Sequence, residues 1–173
     1  MSKLVWRNIG RFVLLMLLQL LVLNHVYLGG YVMPMLYVLF VLMLPTSLKR
    51  IPMLLLAFAT GLLVDIMSGA LGFHALACTV VAMVRILTSD RMLTRGENVV
   101  IAVPGIYSVT PQYFIGYAML LLALFYFVFF SLELFSFRGL GGVLLATVCS
   151  TVVTTLLVVL YQVVFIRRRK EDQ

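Results

Sequence analysis

The sequence predicts an all-α integral membrane protein of six transmembrane helices, and three observations predict it. Of 173 residues, 64% are hydrophobic and 11% charged, whereas soluble domains run near ~45–50% apolar and ~25% charged. Mean hydropathy is +1.15. Six spans of about 20 residues take roughly 120 positions, which leaves no stretch for a separate soluble catalytic or DNA-binding module of even ~50 residues. The cations, finally, lie between or beside the apolar runs rather than in one patch. The net charge of +7 is therefore a topology signal, and no nucleic-acid partner is expected.

The first span is expected over about 11–28. A basic start followed by an apolar run resembles a secretory signal, but no small-x-small cleavage site follows, so the run reads as uncleaved. Gly29-Gly30 breaks it. The second span, 31–45, is short; Pro34 suits a first helical turn, where its missing donor is not needed, and Pro45 closes it ahead of Lys49-Arg50. The third, 52–68, stops at Gly69. The fourth, 72–88, leads into the polar loop SDRMLTRGEN. Residues 99–111 are apolar but interrupted by Pro104-Gly105 and Pro111, which predicts an interfacial or re-entrant segment rather than a span. The fifth span, 112–131, is dense in aromatics, which read as lipid-facing filler. Glu133 and Arg138 bracket a turn before the sixth and longest span, 140–166. All 173 residues then form a single transmembrane domain.

Six spans put the N-terminus, the Lys49 loop, the Arg91 loop and the C-terminal tail on one side. That side collects Lys3, Arg7, Arg11, Lys49, Arg50, Arg91, Arg95, Arg167, Arg168, Arg169 and Lys170, with Arg85 near its edge; the other side holds Arg138. An excess of Lys and Arg marks the cytoplasmic face, so both termini are expected there.

Asp65 is the one carboxylate well inside an apolar run, and a charge in the membrane is a functional candidate by default. Gly61, Asp65, Gly69 and Gly72 recur at helical spacing on one face, and small residues there let another backbone approach. A hairpin with its apex near Gly69 would bring Asp65 and His74 to similar depth. Asp65 then either accepts backbone hydrogens or pairs with His74 to fold the hairpin, or it serves a ligand or a proton. Asn24, His25 and Gln19 in the first span read as polar glue between helices. Thr147, Thr151 and Thr155, with Ser150 and Thr154 beside them, read as a packing face or as hydroxyls bonded back to their own helix. Cys78 and Cys149 lie inside apolar runs with no CxxC or Cys/His cluster and read as small hydrophobes. No GxSxG, HExxH or Walker lysine occurs, so neither catalysis, a metal nor a cofactor is expected.

The order and spacing of several pieces resemble the MreD family of rod shape-determining membrane proteins over nearly the whole chain. They are Leu18-Gln19 through Leu23-Asn24; Pro34-Met35-Leu36-Tyr37-Val38-Leu39-Phe40 through Leu44-Pro45; residues 58–61 followed by Val64-Asp65; Leu71-Gly72-Phe73-His74-Ala75-Leu76-Ala77; and Leu132-Glu133-Leu134-Phe135-Ser136-Phe137. The segment 99–111 does not align with the family. The resemblance implies a bacterial inner-membrane component of the machinery that builds side-wall peptidoglycan, working with MreC, the cytoskeletal MreB, the RodA glycosyltransferase and its penicillin-binding partner. It also implies a fold similar to the six-helix substrate-binding subunits of energy-coupling-factor transporters. Two function classes follow: a scaffold that binds an MreC-like helix through small-residue faces in the lipid bilayer, or a small-molecule or lipid-binding membrane subunit with a pocket near Asp65 and His74.

Overall fold

The computed structural model describes residues 2–21, 32–45, 48–92, 110–133 and 140–171. All regular elements among them are helices: α1 (Ser2–Leu21), α2 (Val38–Leu42), α3 (Arg50–Ser68), α4 (Phe73–Met92), α5 (Pro111–Glu133) and α6 (Leu140–Glu171). Residues 22–31, which include Asn24 and His25, and residues 99–109 of the expected interfacial segment lie outside the described residues. Among the described residues, three helices are long and apolar enough to cross a membrane, at Arg50–Ser68, Pro111–Glu133 and Gly141–Val164, with shorter apolar stretches at Asn8–Leu21 and Phe73–Thr88.

The outside of the bundle is as apolar as the inside. Ile51, Leu55, Phe58, Leu62 and Ile66 recur along one side of α3, and all are exposed. In water such a face is an aggregation liability; in lipid it is the solvated surface of a helical membrane protein. The main helix pairs are α3 with α4, α5 with α6, and α4 with α5.

The second span differs from its expectation. Only Val38–Leu42 is helical, and Pro34 lies ahead of the helix in non-helical backbone rather than in its first turn. Residues 34–45 are all buried. The segment runs beside α6 from the level of Ser150, whose Oγ accepts the Met33 N–H at 3.2 Å, to that of Gln162, whose Nε2 reaches Met43 Sδ at 3.5 Å. Twelve residues of α6 span about 18 Å. Most of the bundle is thus traversed by broken backbone sheathed in other helices, the one setting in which irregular backbone is tolerated at membrane depth.

The freed backbone groups find side chains instead. Gln19 of α1 clamps the strand at both ends of its amide: Nε2 donates to the Pro34 carbonyl at 3.1 Å and Oε1 accepts the Leu36 N–H at 2.8 Å. The Tyr126 hydroxyl of α5 accepts the Met35 N–H and donates to the Met33 carbonyl, both at 2.8 Å, and lies 2.5 Å from Thr154 Oγ1. Arg85 of α4 serves the far end, with Nη1 donating to the Val41 carbonyl at 3.0 Å, Nη2 donating to Leu44 O and Nε donating to the Tyr117 hydroxyl at 2.9 Å. Val41 lies in the last turn of α2, whose carbonyls carry partial negative charge, and Leu44 lies two residues beyond its end, so a cation is favoured there. Arg85 is 1% exposed; it belongs to the core, not to the cytoplasmic rim.

The aromatics of α5 also depart from the expectation. Phe114, Phe125, Tyr126, Phe129 and Phe130 are buried, while Tyr113 and Phe127 face outward. Phe125, Tyr126, Phe129 and Phe130 form a run of ring contacts with centroids 5.4–6.1 Å apart, against which the broken segment packs through Tyr37.

Candidate functional site

The tip of the α3–α4 hairpin is built around Asp65. Gly69 caps α3 in the left-handed region at φ 67°, a conformation that favours glycine. Its N–H and that of Ala70 both donate to the Asp65 carbonyl. Gly72, at φ 90°, precedes α4 and offers no side chain to cap it. Asp65 supplies that cap from the neighbouring helix: Oδ1 accepts the His74 N–H at 3.1 Å and Oδ2 accepts the Ala75 N–H at 2.8 Å. Two of the four orphan donors of the α4 N-terminus are thereby satisfied by an anion that the helix dipole favours. The carboxylate is 2% exposed and needs no imidazole partner. Of the readings open in the sequence, the one in which Asp65 accepts backbone hydrogens describes the geometry.

Gly61 has a different task from the glycines of the turn. A Cβ there would lie 2.4 Å from the His74 carbonyl oxygen and 2.5 Å from the Ala75 Cα, so α3 and α4 cross through it at backbone contact. Gly61 is consumed inside the chain, while Gly69 and Gly72 leave the helical face and make the turn. The four residues do not form one continuous interface stripe.

His74 turns away from Asp65. Its Nδ1 lies 2.7 Å from the Tyr37 hydroxyl, and its ring stacks on Phe129 with centroids 4.5 Å apart. Its Nε2 has no hydrogen-bond partner among the described residues. A chamber of about 500 Å³ begins here, between the hairpin tip, α5 and the segment 33–37. Tyr37, His74, Phe73, Phe129, Met35 and Glu133 are among its walls, and Asp65 is not. Its volume lies within the range of small-molecule sites, roughly 300–1,000 Å³, and its make-up of aromatic and thioether surface with a few polar groups is theirs too.

No protein-family model, curated protein or solved structure matches this chain. The site therefore rests on its own geometry.

The threonine stripe of α6 divides. Thr155 Oγ1 donates back to the Thr151 carbonyl at 2.7 Å, as a hydroxyl bonded to its own helix does. The hydroxyls of Thr147 and Thr151 are buried and unpartnered among the described residues. Their neighbours Ser150 and Thr154 reach, respectively, the Met33 N–H of the broken segment and the Tyr126 hydroxyl of α5.

Sequence reasoning missed Tyr37, Tyr126 and Arg85 as parts of this arrangement. Arg85 gave a signal: it stands inside the apolar run 72–88, where a charge is costly unless something accepts it. The tyrosines gave none, because each looks like any other aromatic in a greasy helix.

Proposed function

We propose that this chain is a non-enzymatic subunit of the assembly that positions side-wall peptidoglycan synthesis in a bacterial inner membrane, acting by binding an MreC-like partner and, through it, MreB, RodA and a penicillin-binding protein. The observation that carries the reading is the ordered resemblance to the MreD family, in which Gln19, Pro34, Asp65, Gly72 and His74 recur in the pieces that resemble it. Support comes from the way these residues act on one another: Gln19 on Pro34, Asp65 on His74 across the Gly72 turn. Purification of the tagged chain from native membranes with mass spectrometry tests it. An MreC-like single-span protein is expected in the eluate, and depletion of the chain is expected to turn rods into spheres. Rod-shaped depleted cells with no such protein in the eluate would sink the reading.

In this reading both termini face the cytoplasm and the fold resembles the substrate-binding subunits of energy-coupling-factor transporters. Cysteine labelling checks the orientation in a background without Cys78 and Cys149. Ser2→Cys is expected to react from the cytoplasmic face and Ser136→Cys from the opposite one; reaction of both from one face contradicts it.

The chamber favours a second reading, a subunit that holds a small molecule or a lipid. A half-open cleft of about 500 Å³ is large enough to hold one.

A further inference from the structure

We infer that the chamber takes an ammonium-bearing amphiphile, its cationic head at Glu133 and its apolar body against the aromatic and methionine walls. The inference rests on the second reading above, that the chamber holds a ligand at all, and adds the chemistry of what it holds.

Among the described residues that line it, Glu133 is the one carboxylate and none is a lysine or arginine. The other acid of the hairpin, Asp65, is outside the lining and committed to two backbone N–H groups. An anion entering here would meet the like charge of the Glu133 carboxylate. An ammonium meets the reverse: a carboxylate for its charge and, in Phe73 and Tyr37, aromatic walls whose quadrupoles attract cations. Met33 and Met35 add flexible, polarizable surface that adapts to an apolar body.

His74 supplies the second polar handle. Its ring is fixed by the stack on Phe129 and by Tyr37, whose hydroxyl lies 2.7 Å from Nδ1 and 3.9 Å from Met35 Sδ. The nitrogen is the better acceptor and the nearer one. With the hydroxyl donating to Nδ1, the ring proton sits on Nε2 and is free to donate. His74 is 7% exposed and lines the chamber, so this donor, with no partner among the described residues, is available to a ligand. The ligand that satisfies the chamber carries an ammonium and, a short chain away, a hydrogen-bond acceptor. A phosphoethanolamine lipid headgroup has both groups, and so do many free amines.

Thermal unfolding of the purified full chain in a neutral maltoside detergent separates the cases. The probes are short-chain phosphatidylethanolamine, short-chain phosphatidylglycerol, 2-(benzyloxy)ethylamine and 2-(benzyloxy)ethanol. Stabilisation by phosphatidylethanolamine but not phosphatidylglycerol assigns the head to a lipid; stabilisation by 2-(benzyloxy)ethylamine but not 2-(benzyloxy)ethanol assigns it to a free amine. In either case Glu133→Gln is expected to weaken apparent binding at least tenfold. Glu133 is exposed at the end of α5, so this variant folds as the parent does, and its unliganded midpoint checks that. Equal stabilisation by charged and uncharged members of a pair, or undiminished binding by Glu133→Gln, overturns the ammonium assignment and leaves a ligand chamber standing. No shift with any probe overturns both.

Discussion

Gly61→Ala is expected to cost about 3 kcal/mol, the upper end of what overpacking a well-packed interior takes. The added methyl would sit 2.4 Å from the His74 carbonyl oxygen, 2.5 Å from the Ala75 Cα and 2.6 Å from the Ala75 nitrogen. All three are backbone atoms, so no rotamer change relieves them. Carbon contacts settle near ~3.5–4.0 Å, and α3 and α4 must part by about 1 Å to restore that. The same movement pulls Asp65 away from the two N–H groups it caps, which couples the steric loss to an electrostatic one. Gly116→Ala is the control. Gly116 lies on α5 with nothing within 4 Å of the methyl, and the exchange is expected to leave stability unchanged or slightly raised. Cooperative unfolding of both variants in mixed micelles measures the difference. Equal midpoints would contradict the close crossing.

Arg85→Met is expected to cost about 3 kcal/mol as well, by removing hydrogen bonds rather than by a clash. Methionine keeps much of the side-chain length and the apolar packing of the stem. It removes the Arg85 donors from the Val41 and Leu44 carbonyls; Val41 keeps the Leu44 N–H at 3.5 Å, whereas a buried carbonyl left without a donor costs about 1–3 kcal/mol, partly offset because no charge is buried any longer. Arg85→Lys is the sharper comparison. Among the described residues the guanidinium is held by carbonyls, a phenol and the Met53 thioether, with no carboxylate. If only its charge mattered, lysine would restore stability. A single ammonium lacks the planar fork that serves both carbonyls and Tyr117 together, so Arg85→Lys is expected to recover less than half of the loss. Full recovery would show that the end of α2 needs a cation and not a fork.

The parts of this fold that the sequence makes legible are those written in short range. The α3–α4 hairpin follows from two apolar runs and the glycines between them, and α5 and α6 follow from length and hydropathy. Asp65 stood out because a carboxylate in an apolar run has few explanations. What stayed hidden has a common cause. In a membrane the inside and outside of a helix are equally apolar, so the side on which Phe125 or Phe129 sits leaves no periodic trace. The broken segment 32–45 was hidden for another reason. Its conformation is dictated by Gln19, Arg85, Tyr126 and Ser150, of which all but the first come 41 to 117 residues later. Its brevity between Pro34 and Pro45 was the one local clue, since a helical span needs about 20 residues. The chamber was legible only as a neighbourhood: Asp65 and His74 pointed to the right hairpin, yet Asp65 turned out to brace it while His74 lines it.

That same long reach sets a clock on biosynthesis. Met33 leaves the ribosome 117 residues before Ser150, the side chain that accepts its N–H. At about 5–20 residues per second, the interval is roughly 6–23 s. Throughout it the backbone of 33–36 lacks the donors and acceptors that α5 and α6 will bring, and hydrocarbon offers no substitute. The nascent segment must wait where water or an insertion factor can serve those groups, and it takes its seat only after the last helix has entered. The middle of the molecule, early in sequence, is the last part to be finished.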